Sequence, residues 1–196
     1  MTADDPRLQR ARDGELAAFN ELVLEYQGLV FSLCLRMLGS RPAAEDAAQD
    51  AFVSAWRSLG GLRGTAFRPW LLRIAANLCR DELRRRGRRP ATSLETALEE
   101  GLPEPAAAAP TPERAALDEE LRRGIEAALL DLPPDQRLAV ILCDIEQLDY
   151  AEIAAVMRST LGTVKSRIAR GRARLRDRLQ AEPELLPARF RQESRP

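Results

Sequence analysis

The 196-residue chain contains no histidine, only three cysteines, and few aromatic residues, which make up 5% of the sequence. Without histidine, Ser-His-Asp triads, histidine acid–base catalysis and histidine-ligated zinc are all excluded. The cysteines, Cys34, Cys79 and Cys143, are far apart and each lies in an apolar pattern. We therefore expect reduced, buried thiols rather than a metal or redox site, and we predict no cofactor.

Long apolar runs are also absent, because charged residues interrupt every hydrophobic stretch after a few positions. No segment is apolar enough to cross a bilayer as a helix. The start, Met-Thr-Ala-Asp-Asp, has neither the basic residues nor the apolar run of a signal peptide. The sequence therefore predicts a cytoplasmic protein without membrane insertion.

The charges are sorted along the chain, although 30 basic residues balance 30 acidic ones. Basic residues outnumber acidic ones by 9 to 2 over 63–90 and by 11 to 4 over 158–196. Acidic residues prevail by 9 to 6 over 1–62 and by 15 to 4 over 91–157. Solvated helix faces usually mix the two signs. Two separate basic segments instead indicate two places where a polyanion such as nucleic acid binds.

Three amphipathic helices are predicted in the first half of the chain. Apolar residues recur at steps of three and four over 16–37, which predicts one long helix with Asp13 as its N-cap and an end near Gly39. A second helix is predicted over 42–59, with proline in its first turn. A third follows from Phe67 onward. The low aromatic content and few β-rich runs favour an all-α fold.

A linker divides the chain into two predicted domains. Residues 91–112 are acidic and rich in proline and alanine, a composition that cannot bury enough apolar surface to become ordered. The sequence thus predicts two small helical domains, over 13–90 and 113–180, joined by a flexible linker. Residues 181–196 are predicted to form a loose tail.

The end of the second domain predicts a helix-turn-helix. Asp149-Tyr-Ala-Glu152 has the form of a capping box, and the turn 158–162 then precedes a strongly basic helix. On a helical wheel, one apolar stripe of this helix lies opposite a crest of small residues, with cations on both sides. A slim crest of this kind fits the DNA major groove, whereas a solvated face more often carries glutamate partners. The predicted contact residues are Thr163, Lys165, Ser166, Arg167, Arg170 and Arg174.

Two further helix faces in the first half carry sorted polar residues. Four residues of the third helix, spaced by four, three and four, form a basic face on which an amide reads bases and arginines hold phosphates. These are Arg73, Asn77, Arg80 and Arg84. The second helix has an acidic face that consists of Glu45, Asp46, Gln49 and Asp50. This face is either an ordinary solvated surface or a protein-binding site, since it would repel DNA.

Three stretches of sequence form a series on both sides of the linker. They are EDAAQDAFVSAW at 45–56, FRPWLLRIAANLCRDELRRR at 67–86, and YAEIA followed by GTVKSR within 150–167. Together and in this order they resemble the extracytoplasmic-function (ECF) branch of the bacterial sigma-70 family of RNA polymerase sigma factors. GTVKSR alone would also fit other helix-turn-helix regulators.

The resemblance implies a non-enzymatic transcription initiation factor, active in stress responses, that comprises sigma regions 2 and 4. By match, Glu45, Asp46, Gln49 and Asp50 would bind core RNA polymerase. The loop 62–66, which includes Arg63, would meet the −10 promoter element together with Arg73, Asn77, Arg80 and Arg84. The basic helix of the second domain would meet the −35 element. Family habit also implies an anti-sigma factor that masks these surfaces.

Two other classes of protein remain as alternatives. A helix-turn-helix regulator that acts without core polymerase would need only the second half, and it would leave the first basic segment and the acidic helix without a role. A DNA-processing enzyme would need a carboxylate metal cluster or an activated serine, and the first half shows no such set.

Overall fold

The computed structural model describes residues 5–62, 64, 66–88 and 112–181. Residues 5–88 are named the first domain below, and residues 112–181 the second domain. Most of the predicted linker, the tail beyond Ala181 and the predicted contact residue Arg63 lie outside the described residues.

The described residues form helices and contain no strand, which confirms the predicted all-α fold. The first domain contains α1 (Pro6–Arg12), α2 (Leu16–Leu38), α3 (Arg41–Ser58), a 3-10 turn (Leu59–Gly61) and α4 (Phe67–Arg88). The second contains α5 (Pro112–Leu130), α6 (Pro134–Val140), a π-helical segment (Ile141–Ile145), α7 (Tyr150–Met157) and α8 (Leu161–Ala181).

The prediction that Asp13 caps the long helix is wrong, because a short helix precedes it. Asp5 accepts a 3.0 Å hydrogen bond from the amide of Arg7 and caps α1, with Pro6 in the first turn. Asp13 is the C-cap of that helix, and Gly14, at φ +95°, turns the chain into α2. Helix α1 lies ahead of the predicted domain start, and it buries Leu8 and Ala11 in the core.

The first domain packs three long helices around a shared core. Helix α3 turns a face of small residues, including Ala44, Ala51 and Ala55, toward α2 and α4. The rings of Tyr26 and Phe67 meet edge to face at 5.4 Å between α2 and the start of α4. Since the small residues face inward, the longer polar side chains of α3 are left on its outer surface.

In the second domain, α8 lies against α6 at a glycine. A Cβ atom added to Gly171 would lie 2.6 Å from Cγ2 of Val140 and 3.2 Å from the carbonyl oxygen of Gln136. Both distances are shorter than ordinary van der Waals contact. The close approach of the two helices therefore depends on the absence of a side chain at this position.

Gly171→Ala is expected to destabilise the second domain by about 1–3 kcal/mol, because the added methyl overpacks the α6–α8 contact. Gly28→Ala is the matched control, since Gly28 is also inside a helix and nothing lies within 4 Å of its added Cβ. Removing a helical glycine there should stabilise the protein by about 0.5–1 kcal/mol. Urea unfolding followed by circular dichroism measures both changes. Equal effects of the two substitutions would contradict the proposed steric role of Gly171.

The two domains pack against each other, which the sequence does not predict. Helix α7 lies on α4, and one continuous hydrophobic cluster includes buried residues of both domains. The side chain of Leu130 at the end of α5 meets the turn at Gly39, where an added Cβ would be 2.7 Å from it. Arg137 of α6 is 6% exposed and donates a hydrogen bond to the carbonyl oxygen of Met37 at the end of α2.

Candidate nucleic-acid and polymerase interfaces

The helix-turn-helix begins with the predicted capping box. The amides of Ala151 and Glu152 each donate a 2.8 Å hydrogen bond to Oδ1 of Asp149, and the Asp149 amide donates to Oε2 of Glu152 at 3.0 Å. Arg158, at φ +49°, ends α7 in the left-handed conformation. Thr160 Oγ1 then accepts a 3.2 Å hydrogen bond from the amide of Thr163, close to the start of α8. These local bonds fix the residues at which α7 and α8 begin.

Helix α8 presents the predicted pair of faces. Val164, Ile168 and Gly171 are buried against the rest of the second domain. The predicted crest is on the opposite side, where Ala169 is exposed and Ser166 is half-buried. Of the predicted contact residues, Lys165, Arg170 and Arg174 are exposed, whereas Thr163, Ser166 and Arg167 are half-buried. The arrangement gives a narrow edge flanked by cations, as groove binding requires.

Several arginines of α8 already have carboxylate partners. Arg167 Nη2 lies 2.6 Å from Oδ2 of Asp135 on α6. Arg172 Nε donates a 3.0 Å hydrogen bond to Oδ2 of Asp144, and this hydrogen bonding raises the pKa of the arginine above its ordinary value. Phosphate oxygens accept hydrogen bonds from the same arginine N–H groups as these carboxylates do. A DNA phosphate would therefore have to displace the carboxylate from each arginine.

The basic face of α4 is only partly open to solvent. Arg73, Asn77 and Arg80 are half-buried, whereas Arg84 is 73% exposed and pairs with Asp81 on the same helix. Arg80 Nε lies 3.3 Å from Oδ1 of Asp135 in the second domain. The structure thus brings the predicted residues onto one helix, but it turns part of their face toward the other domain.

The acidic face of α3 is exposed. Glu45, Asp46, Gln49 and Asp50 all lie on the solvent side of the helix, opposite the buried alanines. Three of these residues, together with Asp81, Glu82 and Arg85 of α4, line a groove of about 440 Å³. The first domain therefore carries an accessible, mainly acidic surface that is suited to a basic protein partner.

Sequence reasoning missed three charged residues where the domains meet. Arg68 at the start of α4 donates a 2.7 Å hydrogen bond through Nη2 to the carbonyl oxygen of Glu146, and it lies 3.3 Å from Oε2 of the same residue. Glu146 is 8% exposed, and burial raises the pKa of its carboxyl group against the opposing effects of Arg68 and Arg36. The third of these charged residues is Asp135, which pairs with Arg80. The excess of acid over 91–157 was visible in the sequence, but the partners of the individual carboxylates were not.

The structure describes the surroundings of all three cysteines. Cys34 and Cys79 are buried free thiols, as predicted, and their mutual hydrogen bond and burial raise the pKa of Cys34. Cys143 is only half-buried, with its sulfur 3.6 Å from Nη2 of Arg172. In the part of the chain that the structure describes, no group of carboxylates and thiols is arranged to hold a metal ion. No helix in that part is both long and apolar enough to span a membrane.

Two protein-family models match separate parts of the chain. Residues 22–89 match the model of sigma-70 region 2, and residues 122–175 match that of sigma-70 region 4. The chain is 40% identical over 181 residues to the RNA polymerase sigma-H factor of Pseudomonas aeruginosa, covering 90% of this chain and 94% of that protein. Over the same length and coverage, it is 39% identical to the ECF RNA polymerase sigma-E factor of Escherichia coli K12.

Two solved structures share the fold. CnrH, in complex with the cytosolic domain of CnrY, is 29% identical with a TM-score of 0.66, and the match covers 92% of this chain and 99% of that one. The sigma factor RpoE of Bartonella quintana, in complex with the anti-sigma factor NepR, is 24% identical with a TM-score of 0.62, covering 83% and 96% of the two chains.

Proposed function

The chain belongs to the ECF branch of the sigma-70 family of RNA polymerase sigma factors, and on this premise we propose which of its surfaces bind polymerase and DNA. The protein binds core RNA polymerase and directs it to promoters. The acidic face of α3 is the polymerase-binding surface, the basic face of α4 binds the −10 element, and α8 binds the −35 element. Its action on polymerase implies a cytoplasmic location and a role without enzymatic activity of its own.

The observation that carries this assignment is the separation of charge on a single scaffold. One exposed face of α3, over 45–50, carries three carboxylates and no basic residue, while the exposed residues of α8 include cations along both sides of a small-residue crest. An acidic helix repels DNA, and a helix crowded with arginine repels basic protein surfaces. Each surface thus selects one kind of partner, which a factor that joins polymerase to promoter DNA requires.

In vitro transcription tests the assignment as a whole. Purified core polymerase and this protein would be incubated with a library of genomic fragments, and the start sites would be mapped. We expect discrete starts that share two sequence elements at fixed spacing and that require both proteins. Specific duplex binding without polymerase, combined with no discrete starts in its presence, would favour the alternative of a plain helix-turn-helix regulator.

Charge reversal on α3 tests the polymerase-binding surface. Asp50→Lys should weaken core binding by about 2 kcal/mol, because it places a positive charge against the basic partner surface that this acidic face is proposed to bind. Its fold should persist, since Asp50 is exposed. The matched control is Glu21→Lys, which reverses an exposed carboxylate on α2, outside this face. A fluorescence titration of labelled protein with core polymerase measures both affinities, and equal affinities for the two variants would remove α3 from the interface.

An anti-sigma factor is the second proposed partner. The support is that RpoE was solved with the anti-sigma factor NepR, and that CnrH was solved with the cytosolic domain of CnrY. Such a partner would compete with polymerase for the free protein. Co-purification of this protein from its native cells, followed by addition of core polymerase, should release the partner. Unchanged retention of the partner at saturating polymerase would contradict the competition.

A further inference from the structure

Arg12, the last residue of α1, contacts the segment that joins the 3-10 turn to α4, about 50 positions further along the chain. Its Nη2 atom donates a 2.8 Å hydrogen bond to the carbonyl oxygen of Leu62 and a second hydrogen bond to that of Gly64. Arg12 is half-buried, and its Nε atom is buried without a hydrogen-bond partner among the described residues. A buried donor left unpaired is costly, and the two bonds to the segment offset that cost.

Helix α1 gives Arg12 a fixed base. A helix of seven residues is too short to be stable alone, so its place depends on packing against α2. Leu8 and Ala11 are each 2% exposed in the core of the first domain. Arg7 Nη2 also lies 2.5 Å from Oε2 of Glu25 on α2. The guanidinium group of Arg12 is therefore carried by the packed core rather than by a loose terminus.

The backbone that Arg12 holds is supported by other hydrogen bonds only near its two ends. The amide of Leu62 closes the 3-10 turn, and the carbonyl oxygen of Ala66 accepts a 3.3 Å hydrogen bond from the amide of Trp70 in α4. Between these ends, Gly64 is exposed at φ +78°, and an added Cβ atom would meet nothing within 4 Å. The bond from Arg12 thus supports the middle of the segment, where packing does not.

We propose that Arg12 is a positioning residue for recognition of the −10 element, because it holds the backbone at Leu62 and Gly64 in one conformation before DNA binds. This inference rests on the −10 role proposed above for α4. The segment 62–66 leads directly into α4, and the sequence resemblance assigns it to the same element. A binding surface that is already ordered captures a single strand without the entropic cost of ordering a loop. Arg12 acts through the segment and does not itself contact DNA.

Two variants release the segment by different routes. Arg12→Ala removes the donors. Gly64→Val leaves Arg12 in place but puts a β-branched residue at φ +78°, a conformation that such residues rarely adopt. Arg12→Lys keeps a charged donor and is the conservative variant. The matched control is Arg10→Ala, which removes an exposed arginine on the same helix that pairs with Glu15 instead.

Transcription with core polymerase and the full chain measures the effect, on a promoter identified by the start-site mapping described above. One library is randomised in the −10 element and a second in the −35 element, and the output ratio of preferred to average sequences is determined for each. We expect Arg12→Ala and Gly64→Val to reduce the −10 ratio about tenfold, as the loss of a hydrogen bond from a charged donor allows. The −35 ratio and the affinity for core polymerase should not change. Arg12→Lys should recover part of the −10 ratio, and Arg10→Ala should match the wild type.

A −10 ratio in Arg12→Ala and Gly64→Val equal to that of Arg10→Ala would overturn the inference. Equal losses in the two libraries, or a loss of core affinity, would also overturn it, because Arg12 would then only stabilise the first domain. If a thermal melt shows that Arg12→Ala does not fold, the −10 ratio of Gly64→Val decides. The proposed function fails separately, when the wild-type protein and core polymerase give no discrete start sites.

Discussion

Arg137→Met is expected to lower the free energy of unfolding by about 3 kcal/mol. The guanidinium group donates to the carbonyl oxygens of Leu130, Leu132 and Met37, the bond to Leu132 being 3.1 Å long. Methionine keeps the apolar stem but provides no donor, so three carbonyl oxygens at helix ends lose their partner. Hydrogen bonds from a charged donor are worth about 1.5–3 kcal/mol each.

Two opposing effects keep the expected loss well below the sum of three bonds. Arg137 is buried, which lowers the pKa of its guanidinium group, and its Nε atom has no hydrogen-bond partner. Removing a buried charge recovers part of its desolvation cost. The variant is still expected to be less stable than the wild type, because each of the three carbonyl oxygens remains in place without a hydrogen-bond donor.

Urea unfolding monitored by circular dichroism measures the change, and Arg123→Met is the matched control. Arg123 is on α5, with its side chain 58% exposed and a 3.8 Å pair to Glu119. Its loss should cost less than about 0.5 kcal/mol, as for an exposed ion pair. Arg137→Lys should fall between the two, because one ammonium group cannot span three separate acceptors. A loss below 1 kcal/mol for Arg137→Met would mean that water replaces the guanidinium group.

Ala169→Glu is expected to have the largest effect on promoter use of any single change on α8. Ala169 is exposed on the crest that is proposed to enter the groove. Glutamate there would place a bulky anion between two phosphate walls, and like charges brought together in this way cost several kcal/mol. We expect −35-dependent transcription to fall at least about 100-fold, while core binding stays unchanged.

The matched control is Gln180→Glu, which adds the same charge at an exposed position near the C-terminal end of α8. It should reduce transcription only slightly, because it lies on the same side of α8 but 11 residues beyond Ala169, about 16 Å farther along the helix. Promoter-library transcription with each variant gives both values. Equal losses for the two variants would show that general charge, and not the crest, governs binding.

The helical pattern and the surface chemistry were largely predictable, whereas the contacts between the domains were not. The apolar stripe of α8 and the capping box at Asp149 are local features, set by residues a few positions apart. The pairs Arg80–Asp135 and Arg68–Glu146 join residues that are 55 and 78 positions apart. A single carboxylate in a sequence carries no sign of its distant partner, so these contacts were missed.

Helix α1 was missed for a local reason. Asp13 has the side chain of a good N-cap and lies just before a long apolar pattern, so it was assigned to the helix that follows it. In the structure, the position that flanks α2 is Glu15, which makes no side-chain capping bond. Asp5 and Pro6 provide the stronger helix start, and they fall in a stretch too short to show periodicity.

The close contact at Gly171 also limits how α8 can move against α6. With α8 pressed against Val140 and Gln136, a roll or slide of that helix would bring flanking side chains into space that only a glycine fills. Packed cores rearrange between discrete states and do not deform continuously. We therefore expect α8 to keep its position against α6 wherever the second domain binds. Hydrogen exchange in α6 and α8 should accordingly have the same rate in free and polymerase-bound protein.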